Sequence, residues 1–192
     1  MASTGCVKGG RRDGTWHDGE IDPSQDHSSR PEAARPAEPT DRPVRRATPD
    51  EAQEVALLLH DFNTEFGDPT PGVDVLTERI RELLAAGHIT VLLGGEGPDG
   101  LALTRLRPSL WSESLDAYLE ELYVVPDQRG CGLGRALLEA AMEDARRAGA
   151  ARIELGTSVD DTAAIALYES AGFTNREREP DGPAMLVYER DL

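Results

Sequence analysis

The chain is nearly devoid of lysine and cysteine: its 192 residues hold one lysine, Lys8, and two cysteines, Cys6 and Cys131. Two thiols, one of them in a segment without structural signals, exclude a disulfide framework, and the reducing cytoplasm is the expected location. No apolar run reaches the length that a signal peptide or membrane span requires, and the opening Met-Ala-Ser-Thr-Gly soon meets Arg11, Arg12 and Asp13. A soluble protein without a membrane partner is expected. Basic charge is scarce as well, 20 Lys and Arg against 36 Asp and Glu, for a formal net charge of −16 spread along the chain. Phosphate backbones demand a basic face, so nucleic acid is excluded as a partner, and cationic small molecules fit better. His17, Asp18, Asp22, Asp26 and His27 are metal-capable, yet they follow no zinc-motif spacing, and no metal is expected.

What is present starts near Val44. Residues 1–42 are rich in Pro, Ser, Gly, Asp and Arg, carry almost no aliphatic side chains, and read as a disordered tail ahead of one domain over 43–192. Val44 to Thr48 alternates like a short strand, after which Thr48-Pro49-Asp50-Glu51 supplies a helix N-cap, a proline at the first helical position and first-turn acids. Val55, Leu58, Leu59 and Phe62 then recur at helical spacing, and a second helix is predicted from Val73 to Ala86. Strands are predicted at His88–Leu93, Leu101–Leu106 and Leu115–Val125, followed by a helix after Gly134 with Leu137, Leu138, Ala141, Met142 and Ala145 on one stripe. The rest reads as a strand (Arg152–Leu155), a helix (Asp161–Ala171), and two strands about a turn at Pro180-Asp181-Gly182-Pro183.

The most informative segment runs from Val124 to Arg135, where an apolar strand enters the alternating glycines Gly130, Gly132 and Gly134 and then a helix. Glycine permits positive φ and removes the Cβ atoms that keep a ligand's phosphates off the backbone, so successive N–H groups can converge on an anion. The helix N-terminus adds about half a positive charge where a diphosphate is favourably placed. A plain tight turn without ligand suits three glycines equally. Two nucleotide motifs fail on spacing: a dinucleotide-binding fingerprint needs G-x-G-x-x-G, whereas here the order is G-x-G-x-G, and a Walker loop needs a lysine after its last glycine.

Arg129-x-x-Gly132-x-Gly134 resembles the R/Q-x-x-G-x-G/A acyl-CoA signature of the GNAT acetyltransferases, and it follows a strand, Tyr118-Leu119-Glu120-Glu121-Leu122-Tyr123-Val124, similar to that family's fourth. Ala164-Ile165-Ala166-Leu167-Tyr168-Glu169-Ser170-Ala171-Gly172-Phe173 resembles the family's A-x-x-L-Y-E-x-x-G-F element. The resemblance spans about Val44 to Leu192. It implies an α+β fold, layered α/β/α, with a central, mostly antiparallel mixed sheet of roughly six to seven strands flanked by about four helices. It also implies an enzyme that uses acetyl-CoA as cosubstrate and transfers the acetyl group directly to a primary amine of a polyamine, an aminoglycoside or an amino-acid-like molecule. A protein amine, or an acyl-CoA-binding module without turnover, are the alternatives.

An amine attacks only in its neutral form, and a lysine-like amine is almost wholly protonated at neutral pH, so a base is needed. By resemblance to the spermidine/spermine acetyltransferases, whose strand also reads Y-L-E-D, that base is Glu120; Glu121, next in a strand, is expected on the opposite face. The family's tyrosine acid matches Tyr168. Leu122, Tyr123 and Val124 match the strand backbone that pairs with pantetheine, and Arg129, Gly130, Cys131, Gly132, Leu133, Gly134 and Arg135 match the pyrophosphate turn. Asp161 stands where many members carry Asn, and is expected to cap its helix instead. Asp61, Glu65 and Asp68, with Trp111, Glu113 and Asp116, are candidates for an acidic rim around the acceptor. Homodimers are frequent in the family, and the segment Ala184 to Glu189 is a candidate pairing edge.

Overall fold

A computed structural model describes residues 43–177, 181–188 and 190. The tail reading of residues 1–42 and its metal-capable side chains lie outside the described residues, as do Pro180 and Glu189.

The first strand, β1 (Val44–Arg46), leads into a capping box: the Thr48 backbone N–H and hydroxyl both donate to Glu51 Oε2, at 2.8 and 3.0 Å. A single 3₁₀ turn at Pro49–Glu51 then opens α1 (Ala52–Phe66), which Gly67 ends with φ +76°. The second helix, α2 (Val73–Ala85), returns against it. Three antiparallel strands follow, β2 (Thr90–Gly94), β3 (Gly100–Pro108) and β4 (Leu115–Val124), then α3 (Leu133–Arg147), β5 (Ala150–Leu155) and α4 (Thr162–Ser170).

The sheet is five-stranded in the order β1-β2-β3-β4-β5, antiparallel throughout except for the parallel pair β4 and β5. This is the layered α+β architecture expected, with fewer strands among the described residues. Among the described residues the predicted last hairpin shows one bridge, between Arg176 and Ala184, flanked by the Met185 N–H to Asn175 C=O bond at 2.7 Å, and Met185 to Tyr188, exposed throughout, lack the packed face that would hold a strand. One core, with Val55, Ile80, Val91, Leu93, Leu101 and Tyr123, lies between the sheet and α1 and α2. The other, with Leu92, Leu119, Leu133, Leu137 and Leu138, lies between the sheet, α3 and α4.

Two irregularities in β4 shape the site. Glu121 is paired with Leu103 but Leu119 with Thr104, so Glu120 is an extra residue, a β-bulge. Alternation breaks there: Leu119 belongs to the α3–α4 core, whereas Tyr123, which strict period-2 alternation would place on the same face, belongs to the α1–α2 core. In addition, pairing with β5 ends at Leu119 and Leu155, and among the described residues β4 continues to Val124 without a β5 partner. A gap opens between the two parallel strands directly beside the bulge.

Candidate active site

Beyond Val124 the chain makes a 3₁₀ turn at Pro126–Gln128 and reaches Gly130 (φ +73°) and Gly132 (φ +86°), the latter the N-cap of α3. Both glycines occupy the left-handed region that L side chains rarely adopt. The first intrahelical bond of this turn is Ala136 N–H to Gly132 C=O at 3.0 Å, and no side chain caps the helix. The N–H groups of Leu133, Gly134 and Arg135 therefore point out of the helix end. Leu133 is itself core-buried, and Leu122 and Val124 pack into the same core, so these residues offer a ligand their backbone alone. Arg135 turns toward α4, donating to Ser170 Oγ at 2.8 Å, and Cys131 is exposed with its Sγ 3.6 Å from the Arg129 carbonyl oxygen.

Arg129 does not project from the turn. Its Nε donates to the Val124 carbonyl at 2.8 Å, and its two terminal nitrogens donate to the two carboxylate oxygens of Glu65, each at 2.7 Å. The guanidinium lies 5.7 Å above the Tyr123 ring, and the Tyr123 hydroxyl donates to Glu65 at 3.3 Å. Sequence reading placed Glu65 in an acidic rim; the fold instead commits its charge to Arg129, a partner too distant in sequence for local patterns to signal.

The bulge sets the two β4 carboxylates apart. Glu120 accepts from Arg105 Nε at 2.6 Å and is largely solvated. Glu121, half-buried on the α1–α2 face opposite Leu103, is pushed from the ordinary 4.5 to about 7, first by burial and then by repulsion from Glu120. Both carboxylates thus serve one neighbourhood, contrary to the opposite faces that alternation predicts. Tyr168, half-buried on α4 against the α3–α4 core and 5.9 Å from the Phe173 ring, has its hydroxyl raised by burial, then by Asp161 and Glu121. Asp161 does cap α4, accepting from the Ala164 N–H at 2.9 Å.

Next to this gap, Tyr118, Gly156, Thr157, Ser158 and Val187 line an open cleft of about 440 Å³. Trp111 and Glu113 lie on the β3–β4 loop before Leu115, which at about 3.3 Å per residue is roughly 20 Å along β4 from Glu121. Trp111 is exposed, and Asp116 is engaged by Arg107 at 4.0 Å. Among the described residues no group of His, Cys, Asp and Glu side chains is arranged to hold a metal ion, and no helix is long and apolar enough to cross a membrane.

A strand opened by a bulge, a glycine turn on a helix N-terminus and a tyrosine from the following helix lie within residues 53–173, the stretch matched by the model of the acetyltransferase (GNAT) family. The chain belongs to that family. GNAT enzymes use acetyl-CoA as cosubstrate. This GNAT enzyme is 31% identical over 130 residues to thialysine N-epsilon-acetyltransferase of Caenorhabditis elegans, covering 67% of the chain and 80% of the relative. It is 32% identical over 138 residues to aminoglycoside N(6')-acetyltransferase type 1 of Stenotrophomonas maltophilia, covering 70% and 88%. A crystal structure of a candidate acetyltransferase from Arthrobacter sp. FB24 superposes with a TM-score of 0.72 at 50% identity, covering 78% of this chain and 96% of the other.

Proposed function

We propose that this GNAT enzyme acetylates the primary amine of a small cationic molecule, with Glu121 as the base that takes the amine proton and Tyr168 as the acid. The observation that carries this reading is a half-buried carboxyl with a pKa near 7, placed by the bulge at the edge of the β4–β5 gap. A base poised near the working pH holds enough ionised form to accept a proton and enough affinity to keep it. Glu120, the residue that resemblance favours, is already bound to Arg105 and is better suited to raising the proton affinity of Glu121.

The chain's own groups divide the remaining work. The N–H groups of Gly130, Gly132, Leu133, Gly134 and Arg135 fit a diphosphate, since the turn lacks Cβ atoms at its glycines and the helix end lacks a cap. Leu122, Tyr123 and Val124 have no β5 partner among the described residues, and that edge, apart from the Val124 carbonyl held by Arg129, suits an extended amide-bearing arm. Acetyl-CoA bound there supplies an acetyl thioester. Glu121 is paired with Leu103 on the α1–α2 side and Tyr168 packs against the α3–α4 core, so in this reading proton uptake and proton release would lie on opposite sides of the sheet. The raised pKa of Tyr168 keeps its hydroxyl protonated at neutral pH, ready to donate.

Two further points support a cationic acceptor. The chain carries a formal charge of −16, and the curated relatives above are named for acetylation at nitrogens of thialysine and of an aminoglycoside. We place the catalytic domain at residues 43–192 and the protein in the cytoplasm. The test is thiol release from acetyl-CoA against polyamines, aminoglycosides and lysine analogues. Turnover on one of these classes supports the reading; cosubstrate binding with no turnover on any cationic amine refutes it.

A further inference from the structure

We infer that Glu65 is a positioning residue for cosubstrate binding, holding Arg129 as a strut inside the β4–α3 turn, so that Arg129 is not itself a phosphate ligand. The inference rests on reading that turn as the diphosphate site.

Three observations carry it. All three guanidinium nitrogens of Arg129 already donate, one to the Val124 carbonyl at the end of β4 and two in a fork to Glu65 near the end of α1. The plane of the group is fixed a second time by the Tyr123 ring beneath it, and Tyr123 is buried in the α1–α2 core and bonded to the same carboxylate. Leu133 and Arg135 fasten the far end of the turn to the α3–α4 side, whereas at its middle a Cβ at Gly130 would meet nothing within 4 Å and Cys131 directs its Sγ back at the turn's own carbonyl. Arg129 is therefore the side chain that fastens a glycine-rich, intrinsically pliable segment to α1.

Electrostatics agree with the geometry. The bond from Arg129 holds the Glu65 carboxyl below its usual range, and Glu65 in turn raises Arg129. The pair is close to neutral as a unit, which hides a carboxylate that would otherwise repel a diphosphate beside it. Attraction of the diphosphate then falls to the backbone N–H groups, whose directions the strut preserves.

Calorimetric titration of the full chain with coenzyme A separates the possibilities. Wild-type protein that does not bind overturns both the turn reading and the strut. Where wild type binds, Glu65→Gln is expected to weaken coenzyme A by about tenfold, the loss of roughly one charge-assisted bond. Arg129→Gln should match it, the double variant should lose little more, and the slope of binding against salt should stay at the wild-type value in all three. If Arg129 is a phosphate ligand for which Glu65 competes, Glu65→Gln leaves binding unchanged or tightens it, and Arg129→Gln flattens the salt slope. Either result overturns the strut while leaving the turn reading intact. A fall in melting temperature without a change in coenzyme A affinity also overturns it.

Discussion

At the scale of single residues, the pKa of Glu121 near 7 ties rate and stability to the same proton. The acid limb of kcat/KM against pH should fall near pH 7 in the wild type and vanish in Glu121→Gln, with a loss of about 10²–10⁴-fold in rate. Glu120→Gln should cost less than about tenfold, since it removes a solvated ion pair and not the base. A larger loss for Glu120→Gln than for Glu121→Gln would reverse the assignment. Stability should move the other way. A carboxyl raised from 4.5 to about 7 destabilises the fold once ionised: its contribution is intact below the unfolded value and lost as pH rises through about 7. Glu121→Gln escapes that loss, so denaturant unfolding at pH 8 should find it more stable than wild type by about 2 kcal/mol, with little difference at pH 4. Tyr168→Phe keeps the ring contact with Phe173 and should retain its melting temperature while kcat falls by about 10²-fold or more. Unchanged kcat would leave Tyr168 as packing.

Among elements, the turn and the bulge make different demands. Gly132→Ala places a side chain at φ +86° on the N-cap of α3, a left-handed strain of about 1–2 kcal/mol, and should lower both the melting temperature and cosubstrate affinity. Gly134→Ala should leave the melting temperature nearly unchanged, because the added Cβ would sit at 3.6 Å from Leu167 and 3.7 Å from Val124, ordinary contact distances. These elements differ equally in how far the sequence reveals them. Helical periodicity located α1, α2 and α3, and the Thr48–Glu51 box announced the first of them. The alternating glycines located the turn, and the matching tyrosine element located Tyr168. The bulge was not visible, since an added residue leaves no compositional mark, and strict alternation sent Glu120 and Glu121 to opposite faces. Nor was the Glu65–Arg129 pair, because local patterns do not report partners from distant segments.

For the whole molecule, the dominant fact is charge. A formal −16 produces a negative field that would attract the cationic acceptor proposed above and that salt screens over about 10 Å at 0.1 M. KM for a polyamine or aminoglycoside should therefore rise several-fold between about 0.05 and 0.5 M salt, while KM for a neutral acceptor analogue stays level. Equal responses would show that the acceptor is recognised without the field. Helices cover the sheet's two cores on both sides, which leaves the region where β4 and β5 part as the place where the proposed acceptor would meet the sheet.

The bulge at Glu120 also acts as a phase shift along β4. Every residue after it is out of step with every residue before it, so the order of faces depends on a count of residues as much as on their identities. Removing Glu120 would make Leu119 and Glu121 consecutive opposite Thr104 and Leu103, restoring unbroken alternation while Leu119 and Tyr123 keep their present faces. Substitutions preserve that count and leave it untested; in a scan of single-residue deletions through Tyr118 to Tyr123, loss of the unpaired Glu120 should be the best tolerated by the fold.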